Sequence, residues 1–317
     1  MQKTKQPQRL EPIKPGTTAY VLKRLKESWP WYLMLLPAVV YLIIFDYVPM
    51  AGNLMAFQDY RPSKGIFGSP FVGFKHFKRF FNYVYFGDMI VNTLRITLLS
   101  LCTFPCSIIF ALFLNEVTHT KFKKFAQMVS YMPHFLSEVV VVSLVFLLLD
   151  VYTGPINKLI ELFGGEAKYF LGDAKAFPLI YVLQSLWQSL GWGAILYISA
   201  LSSVDAEQIE AARIDGASRL QIMWHINLPS ILPTIMITFL MRIGSIMSLG
   251  YTRILLFEND MIKEATNVIS LYTYHVGIGK GQFGYSTAIG LFNTAINLSL
   301  LVIFNKLSKK LTEISLF

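Results

Sequence analysis

Two charged residues fall deep inside apolar stretches of this sequence, Arg242 and Glu138. A bare charge at the centre of a bilayer costs at least about 2.5–3.5 kcal/mol on the insertion scale. Each therefore needs water or a partner, and a position of this kind marks either a path or a contact. Glu138 is the candidate partner for Arg242. Such a pair would be a structural clamp or part of a route for a polar solute. Gln184, Gln188 and Trp192 recur at four-residue steps and would share one helical face. Nothing suggests catalysis. Tyr131, His134, His225 and His275 are scattered, with no histidine placed beside a carboxylate or nucleophile. Cys102 and Cys106 lie four apart in an apolar run, near the geometric limit for a disulfide, with no further metal ligands nearby. They read as two thiols, so no catalytic residue, metal site or cofactor is expected on this chain. The stretch GIGKG at 277–281 looks like a phosphate loop but lacks Ser or Thr after Lys280.

The composition says what must position these groups. Of 317 residues, 54% are hydrophobic and 15% charged, and the mean hydropathy is +0.49. A soluble domain carries about 25% charged residues. The chain therefore reads as one all-α, polytopic membrane domain. The net charge of +9 fits lysines and arginines in cytoplasmic loops better than nucleic acid, because no basic stripe interleaves with aromatics.

Six apolar runs, each near the twenty residues a span needs, cover about 31–50, 90–114, 127–149, 178–201, 231–257 and 287–307. Residues 1–30 are polar and basic and read as a cytoplasmic arm, leaving 31–317 as the six-span domain. With the N-terminus inside, the inner segments carry more Lys and Arg than the outer ones, which fits the positive-inside rule. Both termini are then cytoplasmic. Arg95 and Arg253 fall near outer span ends and read as snorkelling side chains. Asn293 and Asn297 share a face of the sixth span and suit interhelical hydrogen bonds.

The loop at 202–233 is longer than most helix–helix links. Asp205 with Gln208, and Ser218 with Gln221, each have capping-box spacing. Gly216 stands between them, where a left-handed C-cap needs no side chain. The pattern predicts two short helices, the second ending before Pro229.

The residues of this loop carry a resemblance. Glu210, Ala211, Ala212, Asp215, Gly216, Ala217, Ile226, Leu228, Pro229 and Pro233 resemble the EAA loop of the permeases of binding-protein-dependent ABC importers. The six-span layout is similar over nearly the whole chain, and WYLMLLPAVVYLIIFDYVPM resembles the maltose-type carbohydrate branch, particularly permeases for oligo- or polysaccharides. The resemblance implies a multi-pass permease in a prokaryotic cell membrane. It implies coupling helices between spans four and five, with Glu210, Ala211, Ala212, Asp215, Gly216, Ala217 and Pro229 seated against an ATPase dimer. That dimer would hold the ATP and Mg. A second homologous permease, an extracytoplasmic solute-binding protein and membrane lipid complete the expected partners. Counting out from the loop as in the maltose-type relatives places Gln184, Ser185, Trp187, Gln188, Trp192, Arg242 and Ser245 at the sugar site, with Glu138 nearby. Aromatic faces stack on pyranoses and amides bind hydroxyls. A guanidinium in the path would suit a carboxylate, so an acidic oligosaccharide is one cargo the sequence allows. An ion-coupled secondary transporter, or a permease for a non-sugar solute, is the alternative. The former would favour internal repeats, and the sequence shows none.

Overall fold

A computed structural model describes residues 25–317, so most of the basic arm lies outside the described residues. The described chain is helical, with one isolated backbone bridge, Gln58 to Phe71. It falls into two units, one ending at Leu54 and one starting at Met55.

In the first unit, α1 (Trp29–Leu42) runs through a π turn, Ile43–Tyr47, into Val48–Met50. Pro49 has no N–H to donate, and the wide turn before it makes room for its ring, so the helix continues. None of α1 is buried.

In the second unit, α2 (Lys75–Phe81) leads to α3 (Phe86–Cys102) and α4 (Phe104–Glu116). Thr103 joins the last two, its hydroxyl donating to the Ser100 carbonyl at 2.7 Å. Pro105 sits in the first turn of α4, where a missing N–H costs nothing. The run expected at 127–149 is not one helix. Instead α5 (Thr120–Tyr131) and α6 (Glu138–Leu149) meet at a 105° bend through a short 3₁₀ turn at Met132–Phe135. Pro133 lies in that turn, and the Ser137 hydroxyl caps α6 by accepting from Val140 N. Glu138 is thus the first residue of α6, not its middle, and meets the positive end of the helix dipole.

The loop after α6 carries α7 (Pro155–Leu162). Asp150 starts it by accepting from Thr153 N, Thr153 Oγ1 and Tyr152 N. The Thr153 bonds hold its carboxyl below the usual range. Next, α8 (Phe177–Leu201) is the central helix, packed against α3, α4, α5, α6 and α11; at 25 residues it is about 37 Å long. A Cβ at Gly191 would stand 2.3 Å from the Ser130 carbonyl oxygen, so only glycine lets α8 lie this close to α5.

The loop that follows holds α9 (Ala206–Ile214) and α10 (Arg219–Ile222). A π turn at Met223–Asn227 and the short helix Leu228–Ser230 carry the chain past Pro229. The expected stop before Pro229 is therefore replaced by a 61° bend at Ile231, after which α11 (Leu232–Gly244) begins. The run expected at 231–257 also breaks. Residues 245–250 are non-helical, and α12 (Tyr251–Phe257) starts anew. After α13 (Ile269–Tyr274) the chain ends in α14 (Phe283–Thr312). Asn297 of α14 holds the gap after α11, accepting from Met247 N and donating to Ser248 Oγ, both at 2.9 Å.

Trp29–Phe57, Phe86–Glu116 and Phe283–Thr312 are long and apolar enough to cross a membrane, and two bent pairs raise the number to five. The long helix α8 is not among them, because Gln184, Ser185, Gln188 and Ser189 lower its hydropathy.

Candidate substrate cavity and coupling loop

A cavity of about 680 Å³ opens between α3, the α5–α6 bend, α8, the end of α11, the 245–250 gap and α12. The two helix breaks create it. Each break turns a short helix end inward, and the groups on those ends are polar. Glu138, Ser185, Gln188, Arg242 and Ser245 all line it, as do His134, Tyr181 and Arg253.

The expected pair of Glu138 with Arg242 is not made. Glu138 pairs with Arg253 instead, through Nε to Oε2 at 2.6 Å and Nη2 to Oε1 at 2.7 Å. This is the two-pronged geometry that suits a guanidinium. Nη2 also donates to Gln188 Oε1 at 3.0 Å, and Nη1 donates to Ser185 Oγ. The Tyr181 ring lies 5.5 Å from the guanidinium carbon, within cation–π range. Four of the five N–H donors of Arg253 are committed, and its side chain is 15% exposed. The snorkelling reading of Arg253 fails because the break after Gly244 turns α12 back over the cavity.

The network extends behind the wall. Gln188 Nε2 donates to the Leu136 carbonyl at 3.2 Å, and buried Gln184 donates to Gln188 Oε1 at 3.4 Å. Leu136 belongs to the α5–α6 bend, so one chain of polar contacts ties α6, α8 and α12 together.

Arg242 is different. It sits in the last turn of α11, exposed to the cavity, with no hydrogen bond or ion pair from its side chain among the described residues. The C-terminal end of α11 favours its positive charge. Ser245 beside it donates only to backbone carbonyls of its own helix.

The remaining expected residues separate. Gln184 is a buried support behind the wall rather than lining. Trp192 stacks on His134, with ring centroids 4.3 Å apart and planes within 5°, so it backs a lining residue. Trp187 is 48% exposed and does not line the cavity. It lies one residue before Gln188, and adjacent residues on a helix diverge. The sequence reading missed His134, Tyr181 and Arg253. The signal for Arg253 was the pair Gly244 and Gly250 bracketing two serines, a helix-breaking pattern inside an apolar run.

The loop at 202–233 is built around Gly216, whose φ is +82°. Ala217 N reaches the Ala212 carbonyl at 2.9 Å and Gly216 N the Arg213 carbonyl at 3.1 Å, a left-handed helix end. The box at Ser218 and Gln221 closes in both directions. At the first helix Asp205 accepts from Glu207 N at 2.9 Å, a simple cap. Glu210, Ala211, Asp215, Gly216 and Pro229 are exposed, and Ala212 and Ala217 half-buried. Ile214, Leu220 and Trp224 are also exposed, while Met223 and Ile231 pack with α4 and α8. The loop thus has a firmly held inner side, and its outer side sets three large apolar side chains among charged ones such as Glu207, Glu210, Arg213, Asp215 and Arg219.

The model of the family "binding-protein-dependent transport system inner membrane component" matches residues 103–313, which take in the loop and all of the cavity lining except Thr97, Ser100 and Leu101. The chain belongs to this family. It is similar to the polygalacturonan/rhamnogalacturonan transport system permease protein YteP of Bacillus subtilis, 45% identical over 294 residues, which are 92% of this chain and 91% of the relative. Protein LplB of the same organism is 43% identical over 293 residues, 92% of each chain. A solved chain from a bacterial alginate ABC transporter, in complex with an alginate pentasaccharide-bound periplasmic protein, is 35% identical with a TM-score of 0.84, covering 93% of this chain and 99% of that one. The chain is an ABC transporter permease, a membrane component rather than an enzyme.

Proposed function

We propose that this permease passes an acidic oligo- or polysaccharide inward, delivered by an extracytoplasmic solute-binding protein. The observation that carries this reading is Arg242, a cation facing a polar cavity with no anion matched to it among the described residues. A uronate carboxylate would supply the missing partner, and the hydroxyl and amide groups around it would bind sugar hydroxyls. The relatives support the class, since both the polygalacturonan/rhamnogalacturonan permease and the alginate transporter are named for acidic polysaccharides.

The rest of the machine follows from the loop. Six spans with both termini inside put Gly216 and its two helices in the cytoplasm. One such chain supplies half a pore, so a second homologous permease is needed. The chain has no phosphate loop, so an ATPase dimer holding ATP and Mg supplies the energy and moves the loop. The exposed Ile214, Leu220 and Trp224 suit a groove on that dimer. An ion-coupled transporter would leave this loop without a purpose.

The test is binding-protein-stimulated ATPase activity of the reconstituted complex across neutral and acidic oligosaccharides. Acidic ones are expected to stimulate and neutral ones to fail, and the reverse order would overturn the acidic cargo. Gly216→Val, forced into a left-handed backbone, is expected to uncouple hydrolysis from uptake. Unchanged uptake would contradict the role of the loop.

A further inference from the structure

The loop is joined to its neighbours in sequence by non-helical or bent links. Toward α8 the chain passes through non-helical residues 202–205, and toward α11 it bends by 61° at Ile231. A third attachment is not covalent. Asn227, at the end of the π turn, donates from Nδ2 to Glu116 Oε1 at 3.3 Å across 111 residues of sequence. Glu116 is the last residue of α4. Beneath this bond Met223 and Ile231 pack with Ile108, Ala111 and Leu112 of α4.

Beside the bond is a cleft of about 340 Å³, lined by Glu116, Asn227, Arg213 and Arg219 among others. Asn227 is 1% exposed, yet its Oδ1 has no hydrogen-bond partner. A buried acceptor of this kind costs about 1–3 kcal/mol if left unmet. Two guanidinium groups border the same cleft, and neither forms an ion pair among the described residues. The cleft therefore holds donors and acceptors that a small closing movement would match.

At its other end α4 begins beside Thr103, and Thr97, Ser100 and Thr103 line the substrate cavity. The thirteen residues of α4 form a rod about 20 Å long between the cleft and the cavity wall.

We infer that Glu116 and Asn227 are a latch through which the coupling loop moves α4, and through α4 the Thr103 joint at the cavity. Closure of Arg213 or Arg219 onto Glu116 and Asn227 Oδ1 tightens the latch when the loop is driven. Both are positioning residues, acting on the cavity through α4. This rests on the reading of the loop as the ATPase contact.

The test is hydrogen exchange on the full complex in lipid nanodiscs, with and without ATP and Mg, comparing segments 206–222 and 112–118. In the parent complex both segments are expected to change with nucleotide. Glu116→Ala is expected to keep the change at 206–222 and lose it at 112–118, with uptake per ATP hydrolysed falling about fivefold or more. If Glu116→Ala does not assemble, Glu116→Gln keeps the length but removes the charge that the arginines close upon, and is expected to at least halve the change at 112–118. A nucleotide response at 112–118 that persists in the variant, or is missing from the parent while 206–222 responds, overturns the latch. No response at 206–222 in the parent would instead overturn the reading of the loop.

Discussion

Arg253 and Arg242 border the same cavity and have the same chemistry, yet one is spent and the other free. Arg253 gives four donors to Glu138, Gln188 and Ser185 and lies over the Tyr181 ring. Arg242 has none of these bonds and faces the open space. A charge in a membrane protein is not functional merely because it is costly. What separates the two is whether the protein has already supplied the counter-charge. By this measure Arg253 is architecture, holding α12 against α6 and α8, and Arg242 is the group we propose for cargo.

Substitutions can break this contrast. The largest effect is expected for Arg253→Ala, which strands Glu138 without its partner. Removing one member of a buried pair costs about 3–5 kcal/mol, and the partial exposure of Glu138 brings this to about 2–3 kcal/mol. A lowered thermal midpoint of the purified permease would show it, whereas Arg242→Met should leave that midpoint unchanged. A double-mutant cycle on stability sharpens the point. Arg253→Met with Glu138→Met should show coupling of about 1–2 kcal/mol, and Arg242→Met with Glu138→Met close to none. Gln188→Ala removes acceptor and donor from the same network and should cost about 1 kcal/mol. The smallest effect is expected for Trp187→Ala, which should leave binding-protein-stimulated ATPase activity as in the parent, because Trp187 does not line the cavity.

Much of this molecule was legible from residue patterns, and the largest gaps come from helix breaks inside apolar runs. The loop around Gly216 could be read closely because caps and left-handed glycines act locally. Ser218, Gln221 and Gly216 do what their spacing says. The spans were harder. Hydropathy locates apolar runs but does not show where a helix inside one breaks, so 127–149 and 231–257 read as continuous. Those two breaks build the cavity, and with them the pairing of the charges changed. Glu138 became a helix start, Arg253 turned inward, and Arg242 lost its expected partner. Trp187 was misplaced for another reason: its distance from the loop gave its depth but not its face. Pro229 failed as a stop signal because the π turn before it absorbs the ring, as the one that follows α1 does for Pro49.

The role proposed for Arg242 is to meet the carboxylate of the cargo. It is tested most directly by binding-protein-stimulated ATPase activity of the reconstituted complex with an oligogalacturonate and with its carboxyl-reduced, neutral counterpart. The parent is expected to respond to the acidic sugar. In Arg242→Met that response should fall by about tenfold or more, the worth of a hydrogen bond to a charged group, with thermal stability unchanged. An acidic-sugar response that survives in Arg242→Met would overturn this role of Arg242.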